Sequence, residues 1–274
     1  MRIDSHVHVW QPHPEFPNPG GTIVGPHVPI PIELLDEYLE DHGIDRAVLV
    51  QPVYPGEENS YVADCARARP ERYAAVCVVD PRQANAAERL AYWVTKRGCR
   101  GLRLRPRVAA EASAFGSPLA DRLWNQAAEL GIVISVLANG EHLAILKSLA
   151  QRFPSVPIVV DHLAHPAHPD ELASLGVATL VELAACASVS LKLSGTYYFS
   201  RERFPYADCH RLFRIVLERF GPERLLWGSD FPHVLLKNPY GSALDLIQRA
   251  LPDLATADRE RILGGNALRL YWGE

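Results

Sequence analysis

Two histidines separated by one residue, His6-Val7-His8, lie near the start of the chain. Residues two apart on a strand share a face, so both imidazoles project together. Neighbouring imidazoles resist charging at once, which favours neutral rings able to hold a metal or accept a proton. A second signal is Trp227-Gly228-Ser229-Asp230-Phe231-Pro232-His233, where an apolar run ends in an acid. A carboxylate there can ligate a metal or take a proton from water. The third is Val160-Asp161-His162-Leu163, which places His162 at the end of a β-branched run. Taken singly, each has a bland reading: a structural histidine pair, a turn-capping aspartate, a strand-end histidine. Taken jointly, His6, His8, His162 and Asp230 all fall at strand carboxyl ends, which points to one catalytic mouth.

Other groups supply candidates for substrate contact. In Gly101-Leu102-Arg103-Leu104-Arg105 the leucines are expected to face helices, which turns Arg103 and Arg105 towards the mouth. Guanidinium forks suit carboxylates, so both arginines are candidates for an anionic substrate group, with surface salt bridges as the alternative. Lys192, Ser194, Tyr197 and Tyr198 close a seventh strand. Lys192 shares a face with Ser194 and is expected to pair with Asp230, bind substrate or face solvent. His165 and His233 are further candidates for substrate or supporting contacts, whereas His13 and His27 are expected to be solvated.

The elements that must position these groups alternate. Strand-like runs occupy 2–9, 46–50, 73–79, 99–105, 132–137, 156–162, 189–194 and 224–230, each followed by a helical pattern. That alternation predicts parallel strands with crossover helices, and eight such units fill one α/β barrel, a single domain over residues 1–274. Pro31 opens a helix that Gly43 follows, and Ser117-Pro118 opens one that Gly131 closes. Asn85 with Glu88 has the spacing of a capping box, and Pro70 and Pro154 stop helices before strands. A proline-rich stretch over 11–29 and another irregular one over 106–116 follow the first and fourth strands. Both would lie on the barrel's active face.

Composition excludes other classes. The chain has 274 residues, 48% of them hydrophobic and 22% charged, as in a folded globule rather than a disordered or collagen-like chain. A net charge of −4 argues against a nucleic-acid partner. No apolar run is long enough for a membrane span, and the Asp4 and His6 near the start do not suit a signal peptide, so a cytoplasmic location is expected. Five dispersed cysteines without a Cys-x-x-Cys pair favour reduced core thiols over a zinc ribbon or disulfide framework.

With the His-x-His, Asp-His-Leu and Gly-Ser-Asp-Phe-Pro motifs in hand, the chain resembles the amidohydrolase-related family, lactonase branch. The likeness runs over nearly the whole chain, through Arg46-Ala47-Val48-Leu49-Val50-Gln51-Pro52, Ala68-Arg69-Pro70-Glu71-Arg72-Tyr73 and Gly265-Asn266-Ala267-Leu268-Arg269-Leu270-Tyr271. It implies a distorted (β/α)8 TIM barrel that hydrolyses a ring ester, with Asp230 activating water. Metal-dependent relatives carry a further histidine on strand five, where this chain has Ile134-Ser135-Val136-Leu137-Ala138-Asn139. A binuclear site is therefore not expected. One Zn²⁺ or Mn²⁺ on His6, His8 and Asp230, with His162 nearby, is one option; metal-free catalysis, attributed to the pyrone lactonase branch, is the other. His165 stands where that branch has an arginine, which leaves a dianionic pyrone in doubt as substrate. A small lactone or other carboxylate substrate is the expected partner. A metal-dependent nonoxidative decarboxylase and a non-catalytic acid-binding barrel are the alternatives. The missing strand-five histidine argues against the first, and joint retention of the four motif residues argues against the second.

Overall fold

The computed structural model describes residues 1–11, 28–53, 56–167, 169–170 and 174–274. The expected solvation of His13 and His27, and most of the 11–29 stretch, fall outside the described residues. The eight runs form β1 (Ile3–Val7), β2 (Arg46–Val50), β3 (Tyr73–Val78), β4 (Gly101–Leu104), β5 (Val133–Val136), β6 (Ile158–Val160), β7 (Val189–Leu193) and β8 (Leu225–Trp227). They lie in the order β1 to β8, each pair parallel. Between them run α1 (Ile32–Asp41), α2 (Ser60–Ala68), α3 (Ala86–Thr95), α4 (Ala109–Ala112), α5 (Pro118–Leu130), α6 (Leu143–Arg152), α7 (Leu175–Glu182) and α8 (Ala207–Phe220). After β8 follow α9 (Ser242–Ala250), α10 (Thr256–Glu260) and α11 (Asn266–Trp272). The expected α/β barrel is thus formed. Parallel neighbours need a crossover, and one-sided helical patterns supply it.

Local chemistry accounts for the cuts between elements. Ser117 precedes Pro118 at the first turn of α5, and Gly131 ends that helix with φ +64°, a conformation that costs a glycine nothing. The capping box expected at Asn85 does not form. Asn85 holds the cap position of α3, but its φ −99° and ψ 22° depart from the extended backbone that aims a capping side chain, and no side-chain bond results.

Two apolar layers hold the barrel. Ile3, Val48, Val50, Ala74, Val76, Val133, Val159 and Leu226 fill the inside, and Ala267 and Tyr271 of α11 join them. Leu102 and Leu104 join the larger layer packed among the helices, as their alternation requires. That leaves Arg103 pointing inward.

The seam between β8 and β1 is where the barrel is distorted. The two strands meet through a parallel bridge from Val7 to Phe231, with His8 N–H donating to the Phe231 carbonyl at 2.7 Å and Asp230 N–H to the His6 carbonyl at 2.9 Å. Gly228 makes this approach possible: a Cβ there would lie 3.0 Å from the His6 Cβ and 3.3 Å from Ser5 Oγ. Among the described residues no helix is long and apolar enough to cross a membrane.

Candidate active site

Several strands stop earlier than their apolar runs suggest, and the early stops aim the site. β6 ends at Val160 rather than at 162. His162, Leu163, Ala164 and His165 then all take left-handed backbone, φ 51°, 53°, 59° and 45°. Each such residue costs an L-amino acid about 1–2 kcal/mol, so packing must hold the turn in place. Gly195 is part of that packing, because a Cβ on it would strike His162 Nδ1 at 2.6 Å. Asp230 is also left-handed, at φ 62°. Strain of this kind concentrates at functional sites.

The four motif residues meet. Asp230 Oδ1 lies 3.6 Å from His6 Nε2, 3.4 Å from His8 Nε2 and 3.7 Å from His162 Nε2. That oxygen is buried and accepts no hydrogen bond, while Oδ2 accepts from the Tyr197 hydroxyl at 2.5 Å. His8 Nδ1 binds the Val50 carbonyl at 2.7 Å, and His162 Nδ1 binds Ser194 Oγ at 2.8 Å. Burial raises the Asp230 carboxyl, but His162, His8, His233 and His6 outweigh it and hold the pKa well below the usual range. Burial pushes the His162 ring down to about 4 and His6 well below its ordinary value. Asp230 is therefore a carboxylate beside the neutral rings of His6 and His162.

A cleft of about 340 Å³ opens above this cluster. Its polar wall carries His8, Arg103, Arg107, His162, His165, Tyr198, Asp230 and His233, and its apolar wall carries Pro52, Val53, Val108 and Leu137. His233 stacks on Trp10 and meets His8 edge-on, and burial lowers its pKa to about 4. His165 packs edge-on against His162 and is lowered further by the same cause.

Not every candidate reaches the cleft. Arg105 is engaged by Glu111 and donates to the Val53 carbonyl at 3.0 Å, so its fork is occupied away from the cleft wall. Lys192 neither pairs with Asp230 nor faces solvent. It is fully buried beneath His6, 3.0 Å from His6 Nδ1 and 3.0 Å from Asp161 Oδ1. Tyr197 stands behind Asp230, and its neighbour Tyr198 lines the cleft.

Two residues with no assigned role in the sequence reading matter here. Asp161 binds Arg103 Nε through Oδ2 at 3.1 Å, and its pKa stays low because Lys192, His6 and Arg103 overcome the burial that would raise it. Its position beside His162 in the same motif was the available signal. Arg107 lies in the 106–116 stretch, and no carboxylate among the described residues pairs with it.

A chelating set is present. His6, His162 and Asp230 can each offer a ligand atom within 4.8 Å of the others, and His8 Nε2 adjoins them. The unpartnered Asp230 Oδ1 faces three imidazole nitrogens, a donor set of the kind Zn²⁺ takes. The residues thus fit one divalent ion.

A closed β/α barrel with imidazoles and a carboxylate gathered at its carboxyl-end mouth defines a class of hydrolytic barrel. The chain belongs to the amidohydrolase family: a profile described as Amidohydrolase matches residues 3–272. It is similar to an L-fucono-1,5-lactonase of Burkholderia ambifaria, 29% identical over 99% of this chain and 95% of that one. It is also similar to a 4-sulfomuconolactone hydrolase of Rhizobium radiobacter, 30% identical over 98% of this chain and 89% of the relative. Among solved structures, an amidohydrolase from Burkholderia multivorans with bound Zn superposes with a TM-score of 0.82, at 26% identity over 99% of both chains.

Proposed function

We propose that the chain is a hydrolase that opens a small lactone bearing a carboxylate or sugar-acid group. The observation that carries this reading is the bare Asp230 Oδ1 among three imidazole nitrogens at the floor of the cleft. The similarity to lactone-hydrolysing relatives supports it.

In this reading, Asp230 Oδ1 takes a proton from water as the water oxygen bonds to the ring carbonyl carbon. The ring C–O bond then breaks, and the leaving oxygen takes that proton. The His162 Nε2–H, with Nδ1 accepting from the Ser194 hydroxyl, donates to the oxyanion, a placed donor contributing about 10²–10³-fold. Tyr197 holds Oδ2, which leaves Oδ1 for water. Arg103 spends Nε on Asp161 and Nη1 on the Gln51 carbonyl at 3.2 Å, which leaves Nη2 for a ligand. Arg107 is the stronger anchor for a carboxylate because its charge is not already balanced by a described acid. His165, His233 and Tyr198 complete the wall around the substrate. Lys192 acts beneath the site rather than on substrate. His6, His8, His162 and Asp230 would hold one Zn²⁺ or Mn²⁺. Such an ion supplies Lewis-acid polarisation and a more acidic bound water.

The test is a lactone panel run on protein of measured metal content, before and after chelation. Asp230→Asn is expected to lower turnover of the best substrate by about 10²–10⁴-fold with the fold intact. Retained activity in that variant would remove Asp230 as the base. Release of CO₂ from an aromatic acid, without lactone opening, would move the chain to a different chemistry.

A further inference from the structure

The histidine cluster contains a hydrogen-bond chain whose direction can be read. His8 Nδ1 faces the Val50 carbonyl at 2.7 Å. A carbonyl only accepts, so this nitrogen carries the proton and His8 Nε2 carries a lone pair. His6 Nε2 lies 3.2 Å from that lone pair, so the bond between the rings needs a proton on His6 Nε2. His6 Nδ1 is then an acceptor, and the Lys192 ammonium stands 3.0 Å from it. A lysine only donates, so both ends of the chain demand the same tautomer. The order is Lys192 to His6 to His8 to the Val50 carbonyl.

This arrangement conflicts with the ligand set. An ion held by His6 Nε2 needs the lone pair there, which puts the ring proton on Nδ1. His8 is already in the tautomer an ion requires; His6 is not. An acceptor for a proton on His6 Nδ1 is present all the same. Asp161 Oδ1 lies 3.4 Å away, fully buried, and 3.0 Å from the same Lys192 ammonium. His6 Nδ1 thus has a cation and a carboxylate beside it, one for each tautomer.

We propose that Lys192 is a positioning residue that holds His6 with its proton on Nε2, and that it thereby weakens divalent-metal binding at this mouth. In the metal-free state the His6 Nε2–H is directed at His8 Nε2. For an ion to be held there, Nε2 would have to release its proton to solvent and Nδ1 take one up from solvent, directed towards Asp161, with the bond from Lys192 lost. The inference builds on the assignment of His6 as a ligand, but its readouts do not depend on turnover, so it can fail while the lactonase reading stands.

The experiment follows the imidazole nitrogens by two-bond ¹H–¹⁵N correlation in chelator-treated, ¹⁵N-histidine-labelled full-length protein. The His6 signals are assigned by their loss in His6→Gln. The expected result in wild type is a pyrrole-type Nε2 and a pyridine-type Nδ1 on His6. The reverse pattern would overturn the proposal, and this measurement needs no variant at position 192. Lys192→Met is expected to move the proton to Nδ1 and to tighten Zn²⁺, titrated against a chromogenic chelator, by about 10- to 100-fold, the usual reach of groups supporting a ligand. Asp161→Asn should shift affinity in the opposite direction and leave the tautomer as in wild type. Zinc affinity unchanged in a folded Lys192→Met protein would overturn the proposal.

Discussion

Replacing Asp4 by Asn should make this protein more stable at neutral pH. Asp4 is fully buried at the β1–β8 seam. Its Oδ1 accepts the backbone N–H of His6 at 3.1 Å and of Ser229 at 2.9 Å, and Oδ2 accepts the Tyr240 hydroxyl at 2.7 Å. Burial drives the carboxyl up from 3.8 to about 6, more strongly than the hydrogen bonds from Ser229, Tyr240 and His6 pull it down. Across the interval from 3.8 to 6 the native state holds a proton that the unfolded chain has released. Raising the pH through that interval therefore destabilises the fold; the penalty is absent below it and complete above it. A shift of about two units at about 1.4 kcal/mol each amounts to ~3 kcal/mol. Asparagine keeps an oxygen for both backbone donors, and its amide can donate to Tyr240 once that hydroxyl turns. For a chain of this length the gain corresponds to a rise in Tm of about 5 °C. Thermal melts and urea midpoints at about pH 7.5 and pH 5 give the answer, with the gap between variant and wild type narrowing at the lower pH. A variant no more stable than wild type at pH 7.5, or a gap that ignores pH, would refute the reasoning.

Two more outcomes can be checked. Arg107→Met should raise KM for a carboxylate-bearing lactone about 10-fold or more while kcat changes little, the pattern of lost ground-state binding; steady-state kinetics with an unchanged KM would assign the anchor elsewhere. His233 behaves oppositely to Asp4 with pH: its ring, lowered from 6.5 to about 4 chiefly by burial, stays neutral while the unfolded ring takes a proton, so stability falls as pH drops through that window. His233→Gln should lose less stability over the same range than wild type, by up to about 3 kcal/mol in chemical denaturation, and parallel curves for the two proteins would contradict it.

The reach of the sequence differs between these residues for a physical reason. His-x-His, His162 and Asp230 were legible because each stands at the end of an apolar run, and runs of that kind become barrel strands whose ends share one mouth. The eight strands and their order followed from the same alternation. The charged residues were not legible in this way. Arg103 and Arg105 have the same spacing and side chain, yet Arg103 reaches the cleft and Arg105 is spent on Glu111. Lys192 reads as a candidate for substrate, and its place under His6 depends on Asp161, a residue on another strand end.

Hydrophobic periodicity is local, so the sequence by itself determined the barrel, its strand order and the face on which the four motif residues gather. Whether a buried charge is free or balanced, and which nitrogen of an imidazole carries the proton, depends on partners tens to hundreds of residues away. His6 and Lys192 are 186 positions apart, and Asp4 and Ser229 are 225 apart. Only the closed barrel brings them within hydrogen-bond reach, because electrostatic pairing is decided by distances of a few ångströms and not by order along the chain.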